Sequence, residues 1–412
     1  MSAVASQEAG RNDGTVMALV GSAHFSSHLL QLALAPLFPI LHAEFGVGYT
    51  ELGLIVTLFY VASGFGQAAA GVLVDRYGAH RLLVAGLTTL SIAVALTGLV
   101  TSYWMFLPLA LIAGLGNSVF HPADLSILSH RVSERRVGRA FALHGISGQL
   151  GFATAPVAMT FMAEVGSWRM ALVIVGVVGL VVAAVLNWNN TFLVYETKRA
   201  AAPHAGGAPR STRYLEIIGS PVVILAFAYF ALTAFGGTGI QTFSIAALTS
   251  GFGLTLSVAT LGLTAYLIGN SFGLILGGFL ADRTQNHHRV AMGGMIVASA
   301  MVLVVVALAT FPAVVVPVLV AAGLANGLTA PSRDLLIRRA AVGAGMGSVF
   351  GFVYSGFDLG SSTAPLVFGA LIDNHSPHAV FLIVALAFAL AAPTVMQVRR
   401  RAVRRASAVA GE

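Results

Sequence analysis

Long apolar stretches recur along almost the whole chain, from Val16 to Gln397, and short segments that carry Gly, Pro, Arg or Asp separate them. Each stretch is close to the length of about 20 residues that an α-helix needs to cross a bilayer. Twelve such stretches predict an all-α polytopic membrane protein with twelve transmembrane helices. The predicted spans are 15–41, 50–74, 81–102, 104–130, 138–163, 168–190, 219–247, 255–281, 290–310, 312–336, 346–372 and 377–397.

Composition and charge agree with this pattern. Hydrophobic residues make up 57% of the 412 positions and charged residues 9%, whereas a soluble domain has about 25% charged residues. The net charge of +7 does not indicate nucleic-acid binding, because 20 of the 22 Lys and Arg residues fall on one predicted side of the membrane. This positive-inside distribution places both termini in the cytoplasm. Arg169, near an outer loop, and Arg333, inside a span, are the exceptions.

A polar stretch rich in Ala, Gly and Pro divides the chain near its midpoint and predicts a flexible cytoplasmic linker, residues 191–218. The N-terminus (1–14) precedes an N-terminal six-helix bundle (15–190). A C-terminal six-helix bundle (219–397) and a basic cytoplasmic tail (398–412) follow the linker.

The two bundles repeat one design. GLGNSVFHPA from Gly114 matches GLANGLTAPS from Gly323, and a Gly-rich stretch from Gly138 matches one from Gly347, both at an offset of 209 residues. Two parallel repeats predict pseudo-symmetric bundles with a substrate site at their interface near the membrane midplane.

The segment GVLVDRYGAHR, from Gly71, joins the second and third spans, and a degenerate copy, GFLADRTQNHHR, begins at Gly278. The first copy resembles the loop signature Gly-x-x-x-Asp-Arg-x-Gly of the major facilitator superfamily, although Ala79 and His80 stand where a second arginine is usual. The resemblance implies a loop that latches the outward-open state. It assigns a gating role to Asp75, Arg76, Arg81, Asp282 and Arg283.

Within that superfamily, the stretches AHFSSHLLQLALAPLFPIL, AEFGVGYTELGLI and GNSVFHP are similar to the fosmidomycin-resistance type of exporter. The similarity covers nearly the whole chain and implies proton-coupled efflux across a bacterial inner membrane. Ser27 and His28 stand where that subfamily carries Asn-Asp, and Ala123 replaces its acid after His-Pro. Because of these departures, the substrate of that subfamily cannot be assigned to this chain.

The fifth span is rich in small residues. Gly145, Gly148 and Gly151 follow each other at spacings of three and predict a smooth face for close helix packing. GFATAP, from Gly151, also resembles the antiporter motif Gly-x-x-x-Gly-Pro, with Ala155 in place of the second glycine.

Asp358, near the centre of the eleventh span, is the first candidate for proton coupling. Ionisable groups at membrane depth are costly unless they are paired or hydrated, and desolvation favours the neutral, protonated carboxyl. Its repeat counterpart is the neutral Gln149. The structural alternative is a packing role, with a hydrogen bond from Tyr354 or Ser361.

Three further charged residues lie in the tenth and fourth spans. Arg333 is interpreted either as an anion-binding residue or as the partner of an acid on a neighbouring helix. Asp334 and Asp124 are assigned to the gate, where Asp124 would bond Arg76 or Arg81.

The intramembrane histidines have three open interpretations. His24 and His28 are four residues apart and therefore on one face of the first helix, near Gln31. They could couple protons, contact substrate together with His121, or bind a metal ion. Metal binding is disfavoured because no cysteine, few carboxylates and no Met-rich repeat accompany the pair. His144 is interpreted as a structural core residue.

The predicted function is a proton-coupled exporter of a small organic compound, either a drug or an anionic metabolite, that works by alternating access. Proton- or anion-coupled uptake of a small organic anion is the alternative, and transport of a metal or metal chelate ranks below both. The predicted substrate-binding residues are His24, His28, Gln31, Asn117, His121, Gln149, Gln241, Asn326, Arg333 and Tyr354.

An enzyme is disfavoured, because the sequence has no Cys, no HExxH and no Gly-x-Ser-x-Gly on a suitable turn. We expect no catalytic residue, no cofactor, no bound metal and no nucleic-acid partner. The expected partners are a small-molecule substrate, protons and the lipid bilayer, and the expected state is a monomer.

Overall fold

Every regular element in the described part of the chain is helical, which confirms the predicted all-α polytopic architecture. The chain divides into two compact units, Met1–Ala202 and Pro203–Glu412. The computed structural model describes residues 2–195, 220–309, 311–340 and 346–410, and their side chains over 12–67, 69–195, 220–309, 311–336 and 352–397. The predicted linker and basic tail therefore lie largely outside the described residues and side chains.

The N-terminal unit contains the first six predicted spans. Its helices are α1 (Ser2–Leu32), α2 (Phe38–Phe45), α3 (Tyr49–Tyr77), α4 (Ala79–Thr97), α5 (Phe106–Asn117), α6 (Phe120–Arg131), α7 (Val137–Val165), α8 (Trp168–Trp188) and α9 (Asn190–Leu193).

The C-terminal unit contains the other six predicted spans, and each is one long helix. They are α10 (Pro221–Phe252), α11 (Leu256–Arg283), α12 (His287–Leu308), α13 (Pro312–Ala340), α14 (Met346–Asp373) and α15 (Pro377–Ala410).

Ten helical stretches in the described residues are long and apolar enough to cross a membrane. The fifth and eleventh predicted spans are not among them, although they form α7, with 29 residues, and α14, with 28 residues. Both helices combine glycine with polar side chains, such as His144 in α7 and Asp358 in α14. These two spans are repeat counterparts, and both carry candidate functional groups.

Proline ends the first helix earlier than predicted. α1 stops at Leu32, and a 3-10 turn separates it from α2, which begins at Phe38. Pro36 lacks the N–H that would bond the carbonyl of Leu32, so the α-helical ladder cannot continue.

Proline also divides the fourth predicted span, 104–130. α5 ends at Asn117, and α6 begins at Phe120. Pro122 offers no hydrogen bond to the carbonyl of Ser118, and its ring crowds that group. Its repeat counterpart, Pro331, is accommodated inside the continuous α13.

Glycine at one repeated position lets two helices of each unit touch through their backbones. A Cβ added at Gly323 in α13 would lie 1.9 Å from the carbonyl oxygen of Tyr266 in α11. A Cβ added at its counterpart, Gly114 in α5, would lie 2.3 Å from the carbonyl oxygen of Phe59 in α3. Both copies of the repeat therefore bring the fourth span against the second in the same way.

Arg169, an exception to the charge asymmetry, has a partner in the N-terminal unit. Its guanidinium donates to Glu44 at the end of α2 and, at 3.2 Å, to the carbonyl of Val100 after α4. Glu44 also accepts from the indole of Trp168, and the Arg169 guanidinium lies 4.2 Å from that ring centroid. This network ties the end of α2, the segment after α4 and the start of α8 together.

Replacing Glu44 by glutamine should lower thermal stability slightly, by about 0.2–1 kcal/mol, because the ion pair is half exposed and screened by water. The loss should shrink when the melting temperature is measured at high salt. Glu164→Gln is the control, because Glu164 is exposed and has no ion pair in the described part of the chain. Equal losses for both variants would refute a stabilising role for the Glu44 pair.

Candidate functional site

The loop signature forms a helix end that requires glycine. α3 ends at Tyr77, and Gly78 has φ 90° before α4 begins at Ala79. This conformation strains residues with a Cβ. The second glycine of the signature therefore has a backbone role, which places Asp75 and Arg76 in the last turn of α3.

All five residues that the loop resemblance assigns to the gate are exposed in their own units. Among the described residues, none of them forms an ion pair, and the guanidinium of Arg76 lies 5.3 Å from the ring centroid of Tyr77. Their gating role stays a prediction. The five residues are Asp75, Arg76, Arg81, Asp282 and Arg283.

Four histidines and one aspartate meet inside the N-terminal unit. The rings of His24 and His144 stack with centroids 3.6 Å apart, and the His24 ring lies 4.4 Å from His28 and 5.4 Å from His121. Asp124 is fully buried among them. We call this set, which comes from α1, α6 and α7, the histidine cluster.

Two of the three glycines predicted to pack closely, Gly148 and Gly151, position this cluster, whereas a Cβ added at Gly145 would meet no atom within 4 Å. A Cβ at Gly151 would lie 2.3 Å from the carbonyl oxygen of Phe25, so α7 lies directly on α1. A Cβ at Gly148 would lie 2.7 Å from Nε2 of His24 and 3.2 Å from Cε1 of His28. Glycine at these positions leaves the space that the imidazoles fill.

The partner predicted for Asp124 is wrong. Its Oδ2 lies 3.0 Å from Nε2 of His144, in a hydrogen bond, and 3.3 Å from Nδ1 of His24. The cause is orientation: Asp124 faces the interior of the unit, whereas Arg76 and Arg81 are exposed. His144, interpreted as a core residue, is thus the main partner of the buried acid.

The helical spacing identified only part of a possible ligand set. His24, His121 and His144 each offer one nitrogen, and the three nitrogens lie within 4.8 Å of one another. His28 is outside this set and packs against Phe152, with ring centroids 4.2 Å apart. The other two nitrogens, from His121 and His144, come from distant sequence, which spacing within one helix cannot reveal.

Two predicted substrate-binding asparagines take part in hydrogen bonds between helices. Asn117 accepts from Ser27 and donates to Ser63, both at 3.0 Å. Its counterpart Asn326 donates to the hydroxyl of Tyr266, also at 3.0 Å. The repeat thus conserves a bond from the fourth span to the second in each unit.

The predicted glutamines have different surroundings. Gln31 borders an apolar cavity of about 60 Å³ in the N-terminal unit, much smaller than ligand pockets of about 300–1,000 Å³. Gln149 and Gln241 are half-buried. Their contact with substrate stays a prediction.

In the C-terminal unit, Arg333 lies among aromatic rings. Its guanidinium is 4.3 Å from the ring centroid of Phe230 and 5.8 Å from that of Phe357, and Tyr354 packs on Phe230 at 4.9 Å. Its Nε donates to the carboxylate of Asp334 at 2.9 Å. The acid expected on a neighbouring helix is therefore the next residue of the same helix.

Asp358 is half-buried in α14. Within the part of the chain that the structure describes, it forms neither a hydrogen bond nor an ion pair. Ser361 instead accepts a hydrogen bond from Thr238, at 3.1 Å. The structural alternative, a bond from Tyr354 or Ser361, is therefore not realised.

One polar residue escaped the sequence analysis. Asp13, in α1, is 1% exposed and accepts bonds from the backbone and hydroxyl of Ser133, at 3.1 and 2.6 Å, and lies 3.9 Å from Arg136. It fastens the start of the first span to the loop between α6 and α7. An acid just before an apolar stretch was the available signal, but its partner is 120 positions away.

Comparison with known proteins identifies the family. The model of the Major Facilitator Superfamily matches residues 20–247 and 225–411. The fosmidomycin resistance protein of Escherichia coli is 25% identical over 390 residues, 93% of this chain and 92% of its own. The cis,cis-muconate transport protein of Acinetobacter baylyi is 22% identical over 355 residues, 84% of each chain.

A crystal structure of a bacterial homologue of the human lysosomal transporter Spinster shares the fold. Its TM-score is 0.73 at 16% identity, over 94% of this chain and 97% of that one. These findings confirm the resemblance read from the loop signature and the first span. The chain belongs to the Major Facilitator Superfamily: it is a multi-pass inner-membrane transporter of small molecules, and it is not an enzyme.

Proposed function

We propose that this transporter exports a small organic compound, a drug or an anionic metabolite, in exchange for protons, by alternating access. Asp358 is the proposed proton-coupling residue. The observation that carries this proposal is a half-buried carboxyl inside the eleventh predicted span, with no hydrogen bond or ion pair among the described residues.

A carboxyl in these surroundings suits reversible protonation. In an apolar environment without a partner the neutral acid is favoured, whereas access to water favours the carboxylate. A structural aspartate would instead hold a permanent partner, as Asp334 does with Arg333. Asp358 is therefore free to exchange its proton when solvent access changes.

The names of the relatives and the surroundings of Arg333 support a small organic substrate. One relative is named for fosmidomycin resistance and another for cis,cis-muconate transport. The positively charged guanidinium of Arg333 lies among the rings of Phe230, Tyr354 and Phe357. These surroundings suit a compound with an acidic group and an apolar body. Arg333 equally favours the second candidate function, the uptake of a small organic anion.

The location of basic residues supports a topology with both termini in the cytoplasm. Clusters at 131–139 and 398–412 and the loop residues Arg76 and Arg81 would then face inward. We further propose that each bundle has six spans, that residues 191–218 form the linker between the bundles, and that the protein is a monomer.

We expect Asp358→Asn to lose net transport driven by a pH gradient and to keep substrate exchange. The amide fills the same space but cannot carry a proton, so binding survives while coupling fails. The measurement uses proteoliposomes with imposed pH gradients of either sign. The substrate is chosen beforehand by a thermal-shift screen that includes fosmidomycin and cis,cis-muconate.

Asp373→Asn is the matched control, because Asp373 is an exposed acid at the end of the same helix. It should transport like the wild type. Gradient-driven accumulation at the normal rate by Asp358→Asn would remove the coupling role from this residue. The sign of the gradient that drives uptake into the vesicles separates export from import.

A further inference from the structure

We infer that the histidine cluster binds one divalent transition-metal ion, with His24, His121 and His144 as nitrogen ligands and Asp124 as the acid that completes the site. The three nitrogens lie within 4.8 Å of one another, although the histidines come from three helices. This goes beyond the proposed function, which relies on Asp358 in the other unit.

The geometry needs only local adjustment to hold an ion. Four-coordinate zinc with Zn–N bonds of about 2.0–2.1 Å places its nitrogens roughly 3.4 Å apart. The rings of His24 and His144 are stacked at 3.6 Å with an interplanar angle of 22°. They must turn out of this stack so that their lone pairs converge.

Orphaned polar atoms mark the same place. Oδ1 of Asp124 is buried without a hydrogen-bond partner in the described part of the molecule, and Nδ1 of His24, 3.3 Å from Oδ2 of Asp124, is buried and forms no hydrogen bond there. A buried carboxylate is costly unless a positive charge or hydrogen bonds compensate it. Oδ2 of Asp124 contacts His144 and His24, so Oδ1 remains available as a ligand atom.

The donor set indicates the class of ion. Imidazole nitrogen with a carboxylate suits zinc, copper, nickel or cobalt, whereas calcium and magnesium prefer oxygen ligands. His121 is exposed, while His24 and His144 are buried. His121 is therefore the outermost of the three proposed ligands.

Cobalt(II) titration tests the site, because four-coordinate Co²⁺ has intense visible absorption bands. The full-length protein, purified in detergent without a histidine tag and treated with a chelator, should bind one Co²⁺ per chain with these bands, and Zn²⁺ should displace it. His121→Ala should lower the affinity at least about tenfold, and Asp124→Asn about 10–100-fold. His121 is exposed, so its substitution should leave folding intact.

His378→Ala is the control for adventitious binding, because His378 is exposed at the start of α15 in the other unit. It should leave affinity and spectrum unchanged, as should Asp358→Asn. Weak Co²⁺ binding without the four-coordinate spectrum would overturn the proposal. So would equal affinity in wild type, His121→Ala and His144→Ala, with folding of each verified by its melting temperature. Because binding is measured without transport, the proposed function and the metal site can fail separately.

Discussion

Replacing Gly323 by alanine is expected to destabilise the C-terminal unit by about 1–3 kcal/mol, with a corresponding loss of folded, transport-competent protein. The new methyl group would lie 1.9 Å from the carbonyl oxygen of Tyr266, which belongs to the backbone of α11 and cannot move alone. α11 and α13 must separate, and the hydrogen bond from Asn326 to Tyr266 would weaken with them.

The control is Gly278→Ala, in the same pair of helices. A Cβ at Gly278 meets no atom within 4 Å, and alanine favours the helix by about 0.5–1 kcal/mol over glycine in water. The melting temperature of Gly278→Ala should equal or exceed that of the wild type. The melting temperature is best followed by size-exclusion chromatography, because the chain has no cysteine for thiol-reactive dyes. Equal melting temperatures for both variants would refute the close contact.

Replacing Arg333 by glutamine should weaken the apparent affinity for an anionic substrate about tenfold or more, since hydrogen bonds to charged groups contribute about 1.5–3 kcal/mol. Arg333→Lys should restore only part of this affinity. Lysine keeps the charge but not the planar group that stacks on Phe230 at 4.3 Å. The measurement is counterflow in proteoliposomes, which does not depend on a proton gradient.

The matched control is Arg289→Gln, which removes an exposed arginine at the start of α12. It should leave counterflow unchanged. Unaltered affinity in Arg333→Gln would show that the arginine serves only its ion pair with Asp334. The anionic character of the proposed substrate would then lose its main support.

Hydropathy and repeats were sufficient to predict the helices, because a bilayer demands long apolar segments whatever their partners. The predicted helix bounds are wrong where a proline cannot donate a hydrogen bond to the carbonyl one turn earlier, as at Leu32 and Ser118. The repeat also predicted equivalent glycines, and Gly114 and Gly323 do bring the same pair of spans together in each unit.

The candidate sites were less predictable, because their contacts join distant parts of the sequence. Composition identified His24, Asp124 and His144 as rare intramembrane polar residues, but not that they would meet. Asp124 was expected to bond loop arginines, since depth alone does not tell which way a helix face points. Asp358 has no hydrogen bond or ion pair among the described residues, and this likewise could not be foreseen, since Ser361 bonds a residue distant in sequence, Thr238.

The most direct test of proton coupling through Asp358 is the movement of protons that accompanies substrate flux. A pH-sensitive dye trapped in proteoliposomes reports this movement when substrate is added without an imposed gradient. The wild type should move protons in the direction opposite to the substrate, and Asp358→Asn should exchange substrate with no pH change. Substrate flux in the wild type without proton movement, or equal proton movement in both proteins, would contradict the account.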